Sequence, residues 1–334
     1  MEEAPLKISV IITNHKRKKY VNDSIISVVN SQSVEKSQVE VILVMDYSDD
    51  KIERFAREHG VKVFFTNEIS LGKKLEVGIL QSHGEILCFL DDDDMYHPSK
   101  LSYILKIMAD PDVIFVHNEI TQIGENEKYG SLEKDTDIKG DDVRFPIADL
   151  SKSQIGEIAG YRSDWYLSSM AIKANLARKY AELIGKCQKS LDKVIFLISV
   201  KECKSIVISK KPLTFYRKHI SITGLKTDLK NFNISRLTFT RESIRTLETL
   251  QRISSENDTQ FMEFIDLMRI KMEANAIIYG DVDIKRNEVI KKLRSAKVLF
   301  NCNECRQLII LLELGIFSKT IASFIYKKIQ TRGI

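Results

Sequence analysis

Over the first third of the chain, short apolar runs alternate with stretches whose apolar residues recur at helical spacing. ISVIIT (8–13), VEVILVM (39–45), VKVFFT (61–66), EILCFL (85–90) and VIFVH (113–117) predict strands. Most are near-continuously apolar, the pattern of parallel strands buried on both faces. Between the first two, Val21, Ile25 and Val28 line one face of a helix; residues 73–82 and 98–109 predict two more, the second opened by Pro98, whose missing N–H suits a first turn. The alternation predicts an α/β fold, a doubly wound, mostly parallel sheet flanked by helices. Ligands of such sheets bind beyond the carboxyl ends of the strands. From about Phe232 the texture turns helical, with Phe261, Phe264, Ile265, Met268 and Met272 on one face, which predicts a helical carboxy-terminal extension. The polar stretch GENEKYGSLEKDTDIKGDD (124–142) predicts a long surface excursion.

Composition narrows the class without choosing a function. The 334 residues, 43% apolar, suffice for one large domain or two moderate ones with a proper core. A net charge of +5, with the basic residues spread along the chain, does not point to a nucleic-acid partner. Five irregularly spaced cysteines predict no disulfide framework and suit a reducing compartment. Cys302 and Cys305 form a C-x-x-C pair that lacks the second pair a zinc site needs. The start MEEAPLKISV has neither the basic region nor the apolar core of a signal peptide, so a cytoplasmic location is expected.

The chemistry concentrates in ILCFLDDDDMYHPSKL (86–101), where four carboxylates follow an apolar strand. Adjacent like charges repel unless a cation or water screens them, so a cation site and a solvated acidic turn are the two readings. Position favours the first. Asp91, Asp92, Asp93 and Asp94 follow one predicted strand, Asp46 follows VILVM, and residues 13–16 follow ISVII, which gathers three polar groups along one sheet edge.

The segments SVIITNHKRKKYVNDSIISVVNSQ, VEVILVMDYSDD and NEISLGKKLEVGILQSHGEILCFLDDDDMYHPSKL together resemble the nucleotide-sugar-binding half of family-two glycosyltransferases with the GT-A fold. In that family a Pro-Thr-Tyr-Asn-like turn, an Asp-Asp-Gly-Ser-like turn and a Leu-Asp-x-Asp-Asp motif occur in this order and at about this spacing. The likeness covers residues 7 to about 120 and continues more thinly to about 224. It implies a transferase domain over 1–225, with a nucleotide-sugar half (1–120) and an acceptor and catalytic half (121–225), followed by an extension over 226–334.

The resemblance implies an inverting transfer from a nucleotide diphosphate sugar, with Mg²⁺ or Mn²⁺ as the cofactor. Asp93 is the implied metal ligand, with Asp91 beside it nearer the ribose. Asp46 corresponds to the aspartate that meets the nucleobase, Thr13 and His15 to the turn near ribose and base, and Lys73 and Lys74 to a basic position near the diphosphate. The lysines also suit a solvated helix face. The sequence departs from the family at TNHK and at Tyr47. SLDKVIFL offers Asp192 as the base that takes the acceptor proton, with Leu191 where the family usually has Glu and Asp164 in reserve. Trp165 and Tyr161 offer stacking faces for a sugar, or plain core filling. FYRKH offers Arg217 and His219 to the diphosphate or metal.

Three rivals remain on sequence grounds. A sugar-phosphate nucleotidyltransferase would normally show a glycine-rich turn after the first strand, and TNHKRKK has no glycine; a D-x-D-x-T phosphatase would not follow Asp93 with Asp94 and Met95. A nucleotide-sugar-binding protein without catalysis is the third. The acceptor is expected to be a glycan or a lipid-linked group. After Glu313 the chain carries Lys319, Lys327, Lys328 and Arg332 but no acid, with Ile321, Phe324, Ile325 and Lys328 at helical spacing. A packed terminal helix and a peripheral membrane contact both fit this tail.

Overall fold

The computed structural model describes residues 7–30, 33–132, 138–202, 204–218, 229–255, 258–317 and 323–327. The chain opens with β1 (Ile8–Asn14), α1 (Val21–Val29), β2 (Val39–Met45), α2 (Asp50–Glu58), β3 (Lys62–Phe65), α3 (Leu71–Gln81), β4 (Ile86–Asp91), a short β5 (Met95–Tyr96), α4 (Lys100–Met108) and β6 (Val113–Ile123). It continues through β7 (Asp142–Pro146), α5 (Lys152–Gly160), β8 (Met170–Lys173), α6 (Ala174–Lys179), α7 (Ala181–Lys186), α8 (Leu191–Lys201) and β9 (Ser205–Arg217). Four longer helices follow: α9 (Leu229–Gln251), α10 (Thr259–Tyr279), α11 (Arg286–Leu299) and α12 (Asn303–Phe317).

The strands join one sheet in the order β3-β2-β1-β4-β8-β6-β9-β5, with β7 also on β9. Neighbours within β3, β2, β1 and β4 are parallel; β8 runs antiparallel to both β4 and β6, and β6 and β9 are parallel. The predicted strand at 113–117 therefore lies beyond an antiparallel insert, and it extends to Ile123.

Burial on both faces accounts for the apolar runs. Ile8, Val10 and Ile12 of β1 join a core with Val21, Ile25 and Val28 of α1, Ile52 and Ala56 of α2, and Leu101, Ile104 and Met108 of α4. Ile11 points to the other face, where a Cβ on Gly78 of α3 would stand 2.5 Å from its Cγ2, so only glycine lets α3 lie this close. Each fully buried aliphatic side chain contributes on the order of 1.5–3 kcal/mol. Ser9 is tolerated inside β1 because its hydroxyl donates to Glu40 at 2.5 Å and accepts from the Gly84 N–H at 2.8 Å. In the 124–142 stretch, Tyr129 is buried with Met95, Ile123 and Phe215, while β7 starts at Asp142 and residues 133–137 lie outside the described set.

Two compact units result, residues 1–148 with 164–219 and residues 149–163 with 220–334. The partition is not contiguous, because α5 groups with the carboxy-terminal helices. Within the second unit α10 buries Phe261, Phe264, Ile265 and Met268, whereas Met272 of the predicted stripe is half-buried. Gly280 ends α10 at φ 110°, a left-handed position that disfavours a Cβ. No described helix is long and apolar enough to cross a membrane.

Candidate active site

Strand register brings the predicted site together. Thr13 of β1 lies opposite Asp91 of β4, and Asn14 opposite Met45 of β2, so the turns that follow carry His15, Asp46 and Asp91–Asp94 side by side. A second constraint fixes the acidic turn from the far side. β5 pairs Met95 with Phe215 of β9, which brings Arg217 to the turn, and its backbone N–H donates to Asp94 Oδ1 at 3.1 Å.

The four acids do different things. Asp92 is buried and accepts from Asn14 Nδ2 at 2.7 Å and from the His15 N–H at 3.1 Å, so it ties the β1 turn to the β4 turn. Asp91, Asp93 and Asp94 offer one carboxylate oxygen each within 4.8 Å of one another. Arg17 pairs with Asp93, and its Nε lies 3.5 Å from Asp92. Burial first, and then the Asp92 charge, pushes the Asp91 pKa up to about 6; burial and then Asp91 push Asp94 up to about 7. This is a carboxylate group that resists carrying its full negative charge, and a hard cation with oxygen ligands would relieve it.

The Asp46 corner is built differently. Lys74, in the first turn of α3 and buried, donates from Nζ to Asp46 at 2.7 Å and to the Ile69 carbonyl at 2.9 Å. His15 Nδ1 meets the same Asp46 oxygen. Burial works to raise the Asp46 pKa, but the Lys74 and His15 hydrogen bonds outweigh it and hold the carboxyl below its usual range. Asp46 Oδ1 is buried without a hydrogen-bond partner. Asp49 caps α2 by accepting from the Lys51 and Ile52 N–H groups, which fixes the turn after β2.

Asp192 stands in the first turn of α8, where its Oδ1 accepts from the Lys193 N–H at 2.9 Å. Burial raises its pKa, and its charge in turn helps raise that of Asp91. Asp164, the reserve base, is buried in an ion pair with Lys193 at 3.1 Å. The Trp165 ring is half-buried under Lys193 Nζ at 5.5 Å, and its carbonyl meets His117 Nε2 at 2.9 Å. Lys100 lies fully buried, with Nζ donating to the Ser168 carbonyl at 2.5 Å and to Thr214 Oγ1 at 2.9 Å, and burial lowers its pKa to about 7. Ser168 in turn bonds the Asp91 N–H at 3.0 Å, so this buried network braces the acidic turn from below.

The remaining predicted residues take other partners. Lys73 turns to Glu76 at 2.7 Å rather than to the strand ends. The Arg217 guanidinium is buried and donates to the carbonyls of Gly124, Glu125 and Glu127 and, at 2.9 Å, of Asp93. Those bonds make it a brace for the turn. Tyr161 belongs to the second unit, where its hydroxyl donates to Glu157 at 3.0 Å. His219 lies outside the described residues. Asn14, Arg17 and Ser168 were not predicted, because each is a common polar residue whose partners are distant in sequence.

Comparisons with known proteins bear on the family and the fold. The family profile described as glycosyl transferase family 2 matches residues 9–167. An uncharacterized glycosyltransferase of Nostoc sp. is 30% identical over 130 residues, which is 37% of this chain and 39% of that protein. One of Haemophilus influenzae is 24% identical over 298 residues, 85% of this chain and 92% of that protein. The chain spans between 18% and 39% of the length of the first five curated relatives. Among solved structures, Staphylococcus aureus TarS 1–349 in complex with UDP-GlcNAc aligns with TM-score 0.55 at 15% identity, over 98% of this chain and 92% of that one. A mannosyltransferase from Pyrobaculum calidifontis, in complex with GDP-Man and Mn²⁺, aligns with TM-score 0.53 at 11% identity, over 97% and 87%.

Proposed function

The chain belongs to glycosyltransferase family 2 and has the GT-A fold, and on that premise we propose that it is an inverting transferase. It would move a sugar from a nucleotide diphosphate sugar to an acceptor hydroxyl in glycan, polysaccharide or glycolipid synthesis. One observation carries the reading: Asp46 and the oxygen-rich group Asp91, Asp93 and Asp94 meet at the ends of neighbouring strands, with Asp192, in the first turn of α8, near enough to Asp91 for their charges to interact.

The residues take separate roles. Asp46, oriented by Lys74 and His15, offers its unpartnered Oδ1 to an N–H of the nucleobase, and Thr13 lies toward the ribose. Asp91, Asp93 and Asp94 form an all-oxygen set suited to Mg²⁺ or Mn²⁺. Such an ion, when bound, supplies Lewis-acid neutralisation of the departing diphosphate. Trp165 presents a ring face to a sugar. Asp192 accepts the acceptor's hydroxyl proton as that oxygen bonds the anomeric carbon and the bond to the diphosphate breaks; a carboxyl with a raised pKa is a better-matched base near neutral pH than an ordinary aspartate.

A thermal-shift screen of nucleotide sugars, run with Mn²⁺ and again with a chelator, tests the reading, because a ligand selective for the native state stabilises it by mass action. Stabilisation by one class of donor that vanishes with chelation is expected; no response to any nucleotide sugar would sink the proposal. A lipid-linked acceptor is the preferred acceptor class, because the tail beyond Glu313 is basic and free of acids. Anionic vesicles should sediment the full chain, and Lys327→Glu with Lys328→Glu should weaken this. Equal sedimentation of both proteins would remove the tail from any membrane role.

A further inference from the structure

The loop between β1 and α1 carries four consecutive cations, at residues 16–19, and they separate. Lys18 Nζ pairs with Asp49 at 2.6 Å and Lys19 Nζ with Glu125 at 3.0 Å. Lys16 adopts a left-handed φ of 57°, and after it Arg17 lies over the acidic turn, paired with Asp93 and close to Asp92. Its side chain stays 39% exposed, so it stands at the rim of the site rather than inside the core. Asp93 is also one of the three carboxylates able to hold a cation. A permanently charged guanidinium and a divalent ion thus draw on the same carboxylate, and seating both there sets like charges against each other.

We propose that Arg17 competes with the divalent cation for Asp93 and, once displaced, turns its guanidinium to the donor's diphosphate. The proposal rests on the acidic turn being the cation site. The planar guanidinium fork matches phosphate oxygens in a bidentate way that an ammonium does not. Linkage then requires reciprocity. Cation and guanidinium weaken each other's hold on Asp93, while a diphosphate that draws Arg17 away strengthens cation binding. Loss of Arg17 therefore has two effects of opposite sign, tighter binding of the metal alone and weaker metal-dependent binding of diphosphate. A residue that merely supported the loop would weaken both or neither.

The experiment titrates Mn²⁺ alone into the full chain by calorimetry, with the electron-paramagnetic-resonance signal of free Mn²⁺ as a second readout, for wild type, Arg17→Ala, Arg17→Lys and Asp93→Ala. Arg17→Ala should bind Mn²⁺ about tenfold more tightly than wild type, Arg17→Lys, which keeps the charge, within about threefold, and Asp93→Ala should lose binding. In saturating Mn²⁺, inorganic pyrophosphate should bind Arg17→Ala about tenfold more weakly than wild type. Circular dichroism and thermal melting check that each variant folds. If Arg17→Ala binds Mn²⁺ no more tightly while Asp93→Ala loses it, the competition is disproved and the cation site stands. If pyrophosphate binds wild type and Arg17→Ala alike, the transfer to diphosphate is disproved. Failure of wild type and Arg17→Ala alike to bind Mn²⁺ would overturn the cation site itself.

Discussion

Two corners of the sheet edge hold carboxylates at the ends of adjacent strands and treat them in opposite ways. At the end of β2, Asp46 is matched by a buried ammonium and an imidazole, and its pKa falls below the usual range. At the end of β4, half-buried Asp91 and buried Asp94 lie near other acids, and their pKa values rise to about 6 and about 7. In the first corner charge is balanced within the chain and fixes geometry. In the second, four carboxylates crowd one turn, so the first should carry stability and the second, with Asp192, should carry reaction.

The largest effect expected is on turnover. Asp192→Asn should lower kcat by roughly 10²- to 10⁴-fold, the usual worth of a positioned general base, while donor affinity and melting temperature stay near wild type. Steady-state kinetics beside a binding titration separates the two, and near-normal transfer would move the base to another acid. The same group should set the acid side of the rate profile. Its raised pKa means that activity should fall with decreasing pH at a value above the ordinary carboxylate range, and a kcat/KM profile that holds its level down to about pH 4 would contradict this.

The balanced corner should answer in stability instead. Lys74→Ala leaves Asp46 buried without its ammonium and should destabilise the fold by about 3–5 kcal/mol in denaturant unfolding, whereas Asp93→Ala, which removes one acid from a crowded set, should cost little. Similar costs for the two would erase the distinction between the corners. The smallest effect is the acid response of Asp46. Because its folded pKa lies below the unfolded value of about 3.9, its contribution is fully present above that value and is lost as pH falls through the folded pKa. Asp46→Asn should accordingly lose less stability than wild type on acidification below about pH 4, measured by denaturant unfolding across that range.

Much of the fold was legible because burial on two faces leaves a strong mark. β1, β2 and β4 read as apolar runs, and α1 as a stripe of Val21, Ile25 and Val28, buried as the pattern requires except at the start of β2 and the end of β4. The short strands left no such mark. β8 has four residues and β7 five, and the outer half of β6 is partly exposed and polar, so periodicity alone did not reveal the antiparallel insert. α2 escaped for a related reason, since it buries only Ile52 and Ala56.

The site divides along the same line. Sequence alone determined that acids follow β4 and that Asp46 follows β2, because each is fixed by its distance along the chain from an element that periodicity identifies, whereas the carboxylate that opens α8 was expected only from the family resemblance. Tertiary structure alone decided what each group does. Four adjacent aspartates carry no periodicity, and only the contact with Asn14 and His15 assigns Asp92 to holding the two turns together. Lys193 is next to Asp192 in the chain yet pairs its ammonium with Asp164 rather than with its neighbour. Of four successive cations, Arg17 is the one turned over Asp93, a choice made by backbone geometry and by partners 31 and 106 positions away that claim Lys18 and Lys19. Charges in a turn are placed by long-range packing, and no local pattern records it.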